Sequence, residues 1–386
     1  MATTMQQQRD WNGPALFSYG FRPFFLSAAV LAVLLIGAWV PALFGTVILP
    51  GALPPVAWHQ HELLFGFVPA VVAGFLLTAV PNWTGRLPVV GRPLIVLYAL
   101  WIAGRLAILV SAHLHVVLAA TLAREIIVGG SLRNLKVLAG VGVLAAAQLL
   151  FHIEIARRGH ALFADRLAVA AILMLIMIVG GRIVPSFTLN WLKRQNPGRL
   201  PATFGRFDMA AMVLAGGALA LWVLSAGLPS LEPAAGLAML TAGGVQAVRL
   251  MRWAGDRTLG EPLVTVLHLG FAFVPVGFVL LGTGLLIGDA PLRSAGLHGW
   301  TTGAVGLMTL AVMTRATRGH TGQDLTAPPT TVIIYVLAFA AALLRIAVAL
   351  AGPASLSLMG FAGLAWVGAF LLYAVVYGPA LFKRQR

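Results

Sequence analysis

Two imidazoles and a carboxylate stand within four residues at Trp58-His59-Gln60-His61-Glu62. Imidazole nitrogen suits iron and copper, and a neighbouring carboxylate can orient a ligating ring. The 386-residue chain contains no cysteine, which excludes thiolate sites, iron–sulfur clusters and c-type haem attachment. Any metal must therefore be held by His, carboxylate, Met or backbone, and the nine histidines become the residues to follow. No fixed metal spacing such as His-Glu-x-x-His is present.

Helical spacing sorts these residues. Positions three, four and seven apart share a face, whereas positions two apart point in roughly opposite directions. On a regular helix His59 and His61 cannot bind one metal together, unless the helix begins only at His61 and lets His59 curl back. His59, Glu62, Gly66, Ala70 and Ala73 form one stripe, a nitrogen ligand with Glu62 as its carboxylate partner above a flat small-residue surface on which a planar macrocycle can lie. His61 falls instead with Phe65, Val68 and Val72, and His298 with Thr302, Val305 and Thr309. We expect His59, His61 and His298 to form an outer-face site, and His268 and His320 an inner one. His320 follows a glycine that permits close approach, in Thr317-Arg318-Gly319-His320-Thr321-Gly322. His113, His115, His152 and His160 read as interfacial histidines. Arg105, Arg182 and Arg345 lie within apolar runs and need anions, for which haem propionates or backbone carbonyls at helix ends are the physical answers.

The elements that carry these residues are membrane spans. The chain is 60% hydrophobic and 10% charged, with a mean hydropathy of +0.93, the composition of a polytopic membrane protein. Its net charge of +15 comes from basic residues scattered singly or in pairs between apolar runs, which speaks for topology signals and against nucleic-acid binding. Counted at about 20 residues per crossing of a core of about 30 Å, twelve runs fit: 20–44, 58–80, 93–110, 114–128, 137–155, 161–184, 207–226, 234–253, 262–287, 295–313, 329–351 and 356–382. The fourth and fifth also read as one long span with a short neighbour. With the N-terminus inside, 19 Lys and Arg fall on the inner side and four on the outer, so both termini are expected to be cytoplasmic. Residues 1–19 read as a polar cytoplasmic segment with no removable signal peptide. Residues 20–382 read as a single all-α transmembrane domain, and residues 383–386 as a basic tail.

An internal echo links spans two and six, Ala79-Val80-Pro81-Asn82-Trp83-Thr84 and Ile183-Val184-Pro185-Ser186-Phe187-Thr188, with a looser copy at Ala311-Val312-Met313-Thr314-Arg315 in span ten. It suggests three units of four helices.

Four strings together, Gly20-Phe21-Arg22-Pro23-Phe24-Phe25, Trp58-His59-Gln60-His61-Glu62, the run from Gly74 to Gly85, and Arg315-Ala316-Thr317-Arg318-Gly319-His320-Thr321-Gly322, resemble the NnrS family over nearly the whole chain. The resemblance implies a haem- and copper-containing protein of the bacterial cytoplasmic membrane, with haem b as the expected haem, associated with nitric oxide metabolism, denitrification and resistance to nitrosative stress. Carried over by position, the family's motif histidines fall on His59, His61, His268, His298 and His320. Haem–copper oxidases offer an analogy in their twelve core helices, but this sequence lacks their adjacent His-His pair and the His-x-x-x-Tyr element beside it.

The expected function is binding, and oxidoreductive turnover, of nitric oxide, a small neutral ligand that reaches a metal through lipid, with an electron donor the sequence does not identify. The alternatives are a metal-binding sensor or accessory subunit, and a secondary transporter. Transporters commonly place coupling carboxylates at the midplane, whereas Glu62, Glu125 and Glu154 lie near span ends.

Overall fold

A computed structural model describes residues 11–49, 51, 53–84, 87–109, 135–195 and 197–384. Among them there is no strand, and the helices run in chain order α1 (Phe21–Leu43), α2 (Pro55–His61), a π segment π1 (Glu62–Phe67), α3 (Val68–Thr84), α4 (Arg92–Leu109), α5 (Leu135–Arg158), α6 (Leu162–Leu192), α7 (Arg206–Leu224), α8 (Glu232–Met251), α9 (Pro262–Leu286), α10 (Ala290–His298), a second π segment π2 (Gly299–Val305), α11 (Gly306–His320), α12 (Pro329–Ala351) and α13 (Leu356–Phe382). Ten of the described helices are long and apolar enough to cross a membrane, α2 through α3 counting as one. The expected tenth span is the rod α10–π2–α11, which is not among the ten. The expected fourth span, 114–128, lies outside the described residues.

Local chemistry sets the helix starts. Prolines occupy the first turns of α2, α9, α10 and α12, where a missing N–H costs nothing and φ is already helical. The carboxylates of Glu261 and Asp289 cap α9 and α10 by accepting from the amides of Leu263 and Leu292.

The chain groups into two compact units rather than the three suggested by the sequence echo. The first comprises the described residues of Met1–Ala168, Val312–Leu325 and Phe370–Arg386, and the second comprises Val169–Ala311 and Thr326–Ala369. Phe21, Phe24, Phe25, Phe67, Phe151, Tyr373 and Tyr377 fill the first core. Within it, Arg22 is buried and donates through Nη1 to the carbonyls of Ala380, Leu381 and Lys383. The last turn of α13 has no amides of its own to satisfy these oxygens. Trp253, Trp300, Phe271, Phe278 and Arg249 fill the second. There, Nε of Arg249 donates to Oδ1 of Asp208 at 3.1 Å with both groups buried, and the guanidinium lies 5.2 Å from the Trp253 ring. Arg22 and Arg249, which sequence alone assigns to the inner-loop charge excess, are thus interior fasteners.

Candidate functional site

His61 is the last residue of α2 and is 0% exposed. Its Nδ1 lies 2.9 Å from Oε1 of buried Glu62. With the carboxylate as acceptor, Nδ1 carries the hydrogen and Nε2 carries the lone pair, the tautomer of a ring prepared to ligate a metal. The ring also packs against Phe65, Phe151 and His152, the last at 5.0 Å between ring centroids. Glu62 itself is held from the other side, its Oε2 lying 3.6 Å from Nε of Arg105 on α4.

The π segment makes this arrangement possible. A π turn adds a residue to the helical register and leaves its backbone in an altered hydrogen-bonding pattern. The carbonyl of Gly66 in π1 accepts from the Trp101 indole at 3.1 Å, and the guanidinium of Arg105, one turn further along α4, lies directly over the Gly66 Cα. A β-carbon at Gly66 would collide with Nη1 of Arg105. Nε and Nη1 of Arg105 are buried and have no hydrogen-bond partner among the described residues. The anion required by Arg105 is therefore supplied in part by Glu62, and donor capacity is left over.

Two sequence expectations change here. Glu62 pairs with His61, its chain neighbour, and His59 stacks on Trp39 at 4.0 Å between ring centroids and 19° between planes. The small-residue stripe is not an open floor for a planar ring either. Arg105 covers Gly66, Ala70 and Ala73 are fully buried, and π1 breaks the 3.6-residue period on which the stripe was drawn. The inference that His59 and His61 face different neighbours agrees with the geometry.

In the second unit, His298 ends α10. Its Nδ1 donates to the carbonyl of Ser294 at 2.8 Å. A carbonyl only accepts, so His298 is also an Nδ1–H tautomer with its lone pair on Nε2. The π2 segment starts at the next residue. Trp300, buried inside π2, donates Nε1–H to the carbonyl of Val274 on α9 at 2.9 Å.

His268 is buried on α9, and its Nε2 lies 2.8 Å from Oγ1 of Thr188. The one hydroxyl hydrogen of Thr188 goes to the carbonyl of Val184 at 2.8 Å. The His268 ring must therefore donate from Nε2 and hold its lone pair on Nδ1. That Nδ1 is buried, has no hydrogen-bond partner among the described residues, and points at Gly255, where a β-carbon would crowd it. Gly255 follows Ala254, the one described non-glycine residue with positive φ, at 55°. Thr188 is the terminal threonine of the sequence echo, so this copy of the motif fixes a histidine tautomer.

His320 belongs to the first unit and sits between Tyr19 and Phe21, with ring centroids 5.4 and 5.5 Å away. His268, its expected inner-face partner, belongs to the second unit. His298 likewise belongs to a different unit from His59 and His61. Arg182 is exposed and Arg345 half-buried, so neither is a deeply buried cation. His113 and His115 lie outside the described residues. Sequence reasoning missed the Glu62–Arg105 pair and the approach of His152 to His61, because both depend on which helices are neighbours. Among the described residues, no three His, Asp or Glu side chains converge to hold a metal ion.

Comparison with known proteins gives one decisive match, to the family model described as NnrS protein, over residues 15–385. The chain belongs to the NnrS family. Among curated proteins no match to the chain is found. The strings that carried the NnrS resemblance now have structural roles. Gly20 packs on Leu77 and Arg22 caps α13, His61 and Glu62 form the buried pair, and Gly74 lies against Phe25.

Proposed function

We propose that this NnrS-family membrane protein binds haem and copper through its buried histidines, and that it binds and turns over nitric oxide at the bacterial cytoplasmic membrane. The family is linked to the nitric oxide response, and the observation that carries the proposal is the His61–Glu62 pair. A fully buried imidazole is held in one tautomer by a carboxylate that an arginine in turn holds. Burying three ionisable groups in a membrane is expensive, and orienting a ligand nitrogen is a function that repays it.

The residues fit haem in two respects. Iron in haem takes one or two axial imidazoles, and His61 and His298 each offer Nε2 as the lone-pair nitrogen. The donors of Arg105 that lack partners match a carboxylate such as a propionate. For copper, His268 offers a buried Nδ1 lone pair next to a glycine, and imidazole is a suitable copper ligand. Bound iron and copper would supply coordination and electron transfer to nitric oxide. The protein's part is to position imidazoles, neutralise charge and exclude water. An electron donor in the membrane completes the reading.

Purification of the full-length protein in detergent tests it. A Soret band that shifts on nitric oxide addition, with iron and copper by elemental analysis, is expected. Protein that is monodisperse but free of both metals after expression with ample haem and copper would refute it.

A further inference from the structure

We infer that the chain contains two copies of one π-kinked, histidine-presenting element, α2–π1–α3 and α10–π2–α11, and that His61 and His298 are its equivalent ligand positions, each within its own unit. This rests on the metal-binding reading above and adds which histidines carry it.

Five features recur in both copies. Each rod begins with a proline in its first turn, Pro55 and Pro291. In each, the α segment ends at a histidine and the π segment starts at the next residue, at Glu62 and at Gly299. Each π segment holds a glycine at the same spacing from that histidine, Gly66 and Gly303. A neighbouring helix presses a side chain onto each glycine, Arg105 of α4 in one unit and Phe273 of α9 in the other. Finally, each histidine has its Nδ1 held by an oxygen acceptor, the Glu62 carboxylate or the Ser294 carbonyl, which puts the lone pair on Nε2.

π geometry accounts for well under about 1% of residues in globular proteins and concentrates at functional sites. Two such segments placed identically behind two histidines with the same tautomer are a repeated device. Each is also fastened to its neighbour by an indole-to-carbonyl hydrogen bond, Trp101 to Gly66 and Trp300 to Val274. The repeat runs in a different register from the sequence echo. Ala79 and Ala311 are not at matching distances from His61 and His298.

His59 lies outside the pattern. Its counterpart in the second copy is Gly296, which packs against the backbone of α9 at Leu281 and Gly277 and has no room for a side chain. The repeated element thus carries one imidazole per copy, and the stacking of His59 on Trp39 is a feature of the first copy alone.

The test uses full-length protein and the variants His59→Gly, His61→Gly and His298→Gly, read by metal content per chain and by low-temperature EPR, each with and without added imidazole. We expect His61→Gly and His298→Gly each to change the EPR signal or lose at least half of one metal, and free imidazole to restore it. His59→Gly should keep wild-type metal content and spectrum. Rescue by imidazole separates a lost ligand from a misfolded chain. If the glycine variants do not fold, 15N-histidine labelling of the wild type replaces them, with two Nδ1-protonated rings whose Nε2 resonances are displaced by metal expected. A metal-loaded wild type in which His59→Gly alone disturbs the signal, or in which no Nδ1-protonated ring is metal-bound, overturns this inference and leaves the broader reading standing. A metal-free wild type overturns both.

Discussion

Nδ1 of His61 lies 2.9 Å from Oε1 of Glu62, and the other oxygen of the same carboxylate lies 3.6 Å from Nε of Arg105. One carboxylate therefore sets the tautomer of an imidazole and neutralises a guanidinium, in a region where neither would be stable alone.

Glu62→Gln keeps the size of the side chain but removes its charge, and Glu62→Ala removes the acceptor altogether. Outer partners of metal ligands typically contribute about 10- to 100-fold in affinity. Metal competition with a calibrated chelator should show a loss of that order for Glu62→Ala and a smaller one for Glu62→Gln. Affinities equal to wild type in both would show that Glu62 does not orient a ligand.

At Gly66 the expected effect is steric. A methyl group there meets Nη1 of Arg105, so Gly66→Ala should lower the melting temperature in detergent and disturb the spectrum of any bound metal. Shortening the intruding side chain relieves the clash. The double variant Gly66→Ala/Arg105→Ala should therefore be more stable than the sum of the two single effects. Strict additivity would contradict the close approach.

The Arg249–Asp208 pair has both side chains essentially buried. Removing one partner strands the other, a change that costs about 3–5 kcal/mol in buried pairs. Asp208→Ala should be strongly destabilising by thermal melting, while Arg249→Met/Asp208→Leu should recover much of the loss. A mild effect of Asp208→Ala would indicate that water reaches Arg249.

Arg22 donates to three carbonyls at the end of α13. Arg22→Ala should speed proteolysis of the C-terminal helix in detergent, and Arg22→Lys should fall between it and wild type, because a lysine is a point donor without the guanidinium fork. Identical proteolysis of all three would show that the cap carries no stability.

The helical rods were legible because about 20 apolar residues in a row admit few alternatives, and the basic residues between them stood out against that background. His61 was legible as a candidate from its density of ligating neighbours. Its true partners were not. Glu62 and His61 are adjacent in sequence, and a regular helix turns adjacent side chains about 100° apart, so the pairing was assigned to His59 instead. The π segment that follows His61 has no signature in the residue types, since Leu63, Leu64 and Phe65 suit an α-helix equally well. Arg105 could be recognised as a cation in need of an anion. That Glu62 supplies it depends on the packing of α4 against π1. Thr188 was visible as part of a repeated string, but its hydroxyl's role toward His268 required two helices to be brought together.

A metal-resolved density map of the purified full-length protein tests the central claim most directly. The expected result is metal density at about 2 Å from Nε2 of His61, the length of an imidazole–metal bond, with Glu62 still on Nδ1. Nε2 of His61 bonded to water or to protein, with no metal beside it in a preparation shown to contain iron and copper, would contradict the claim.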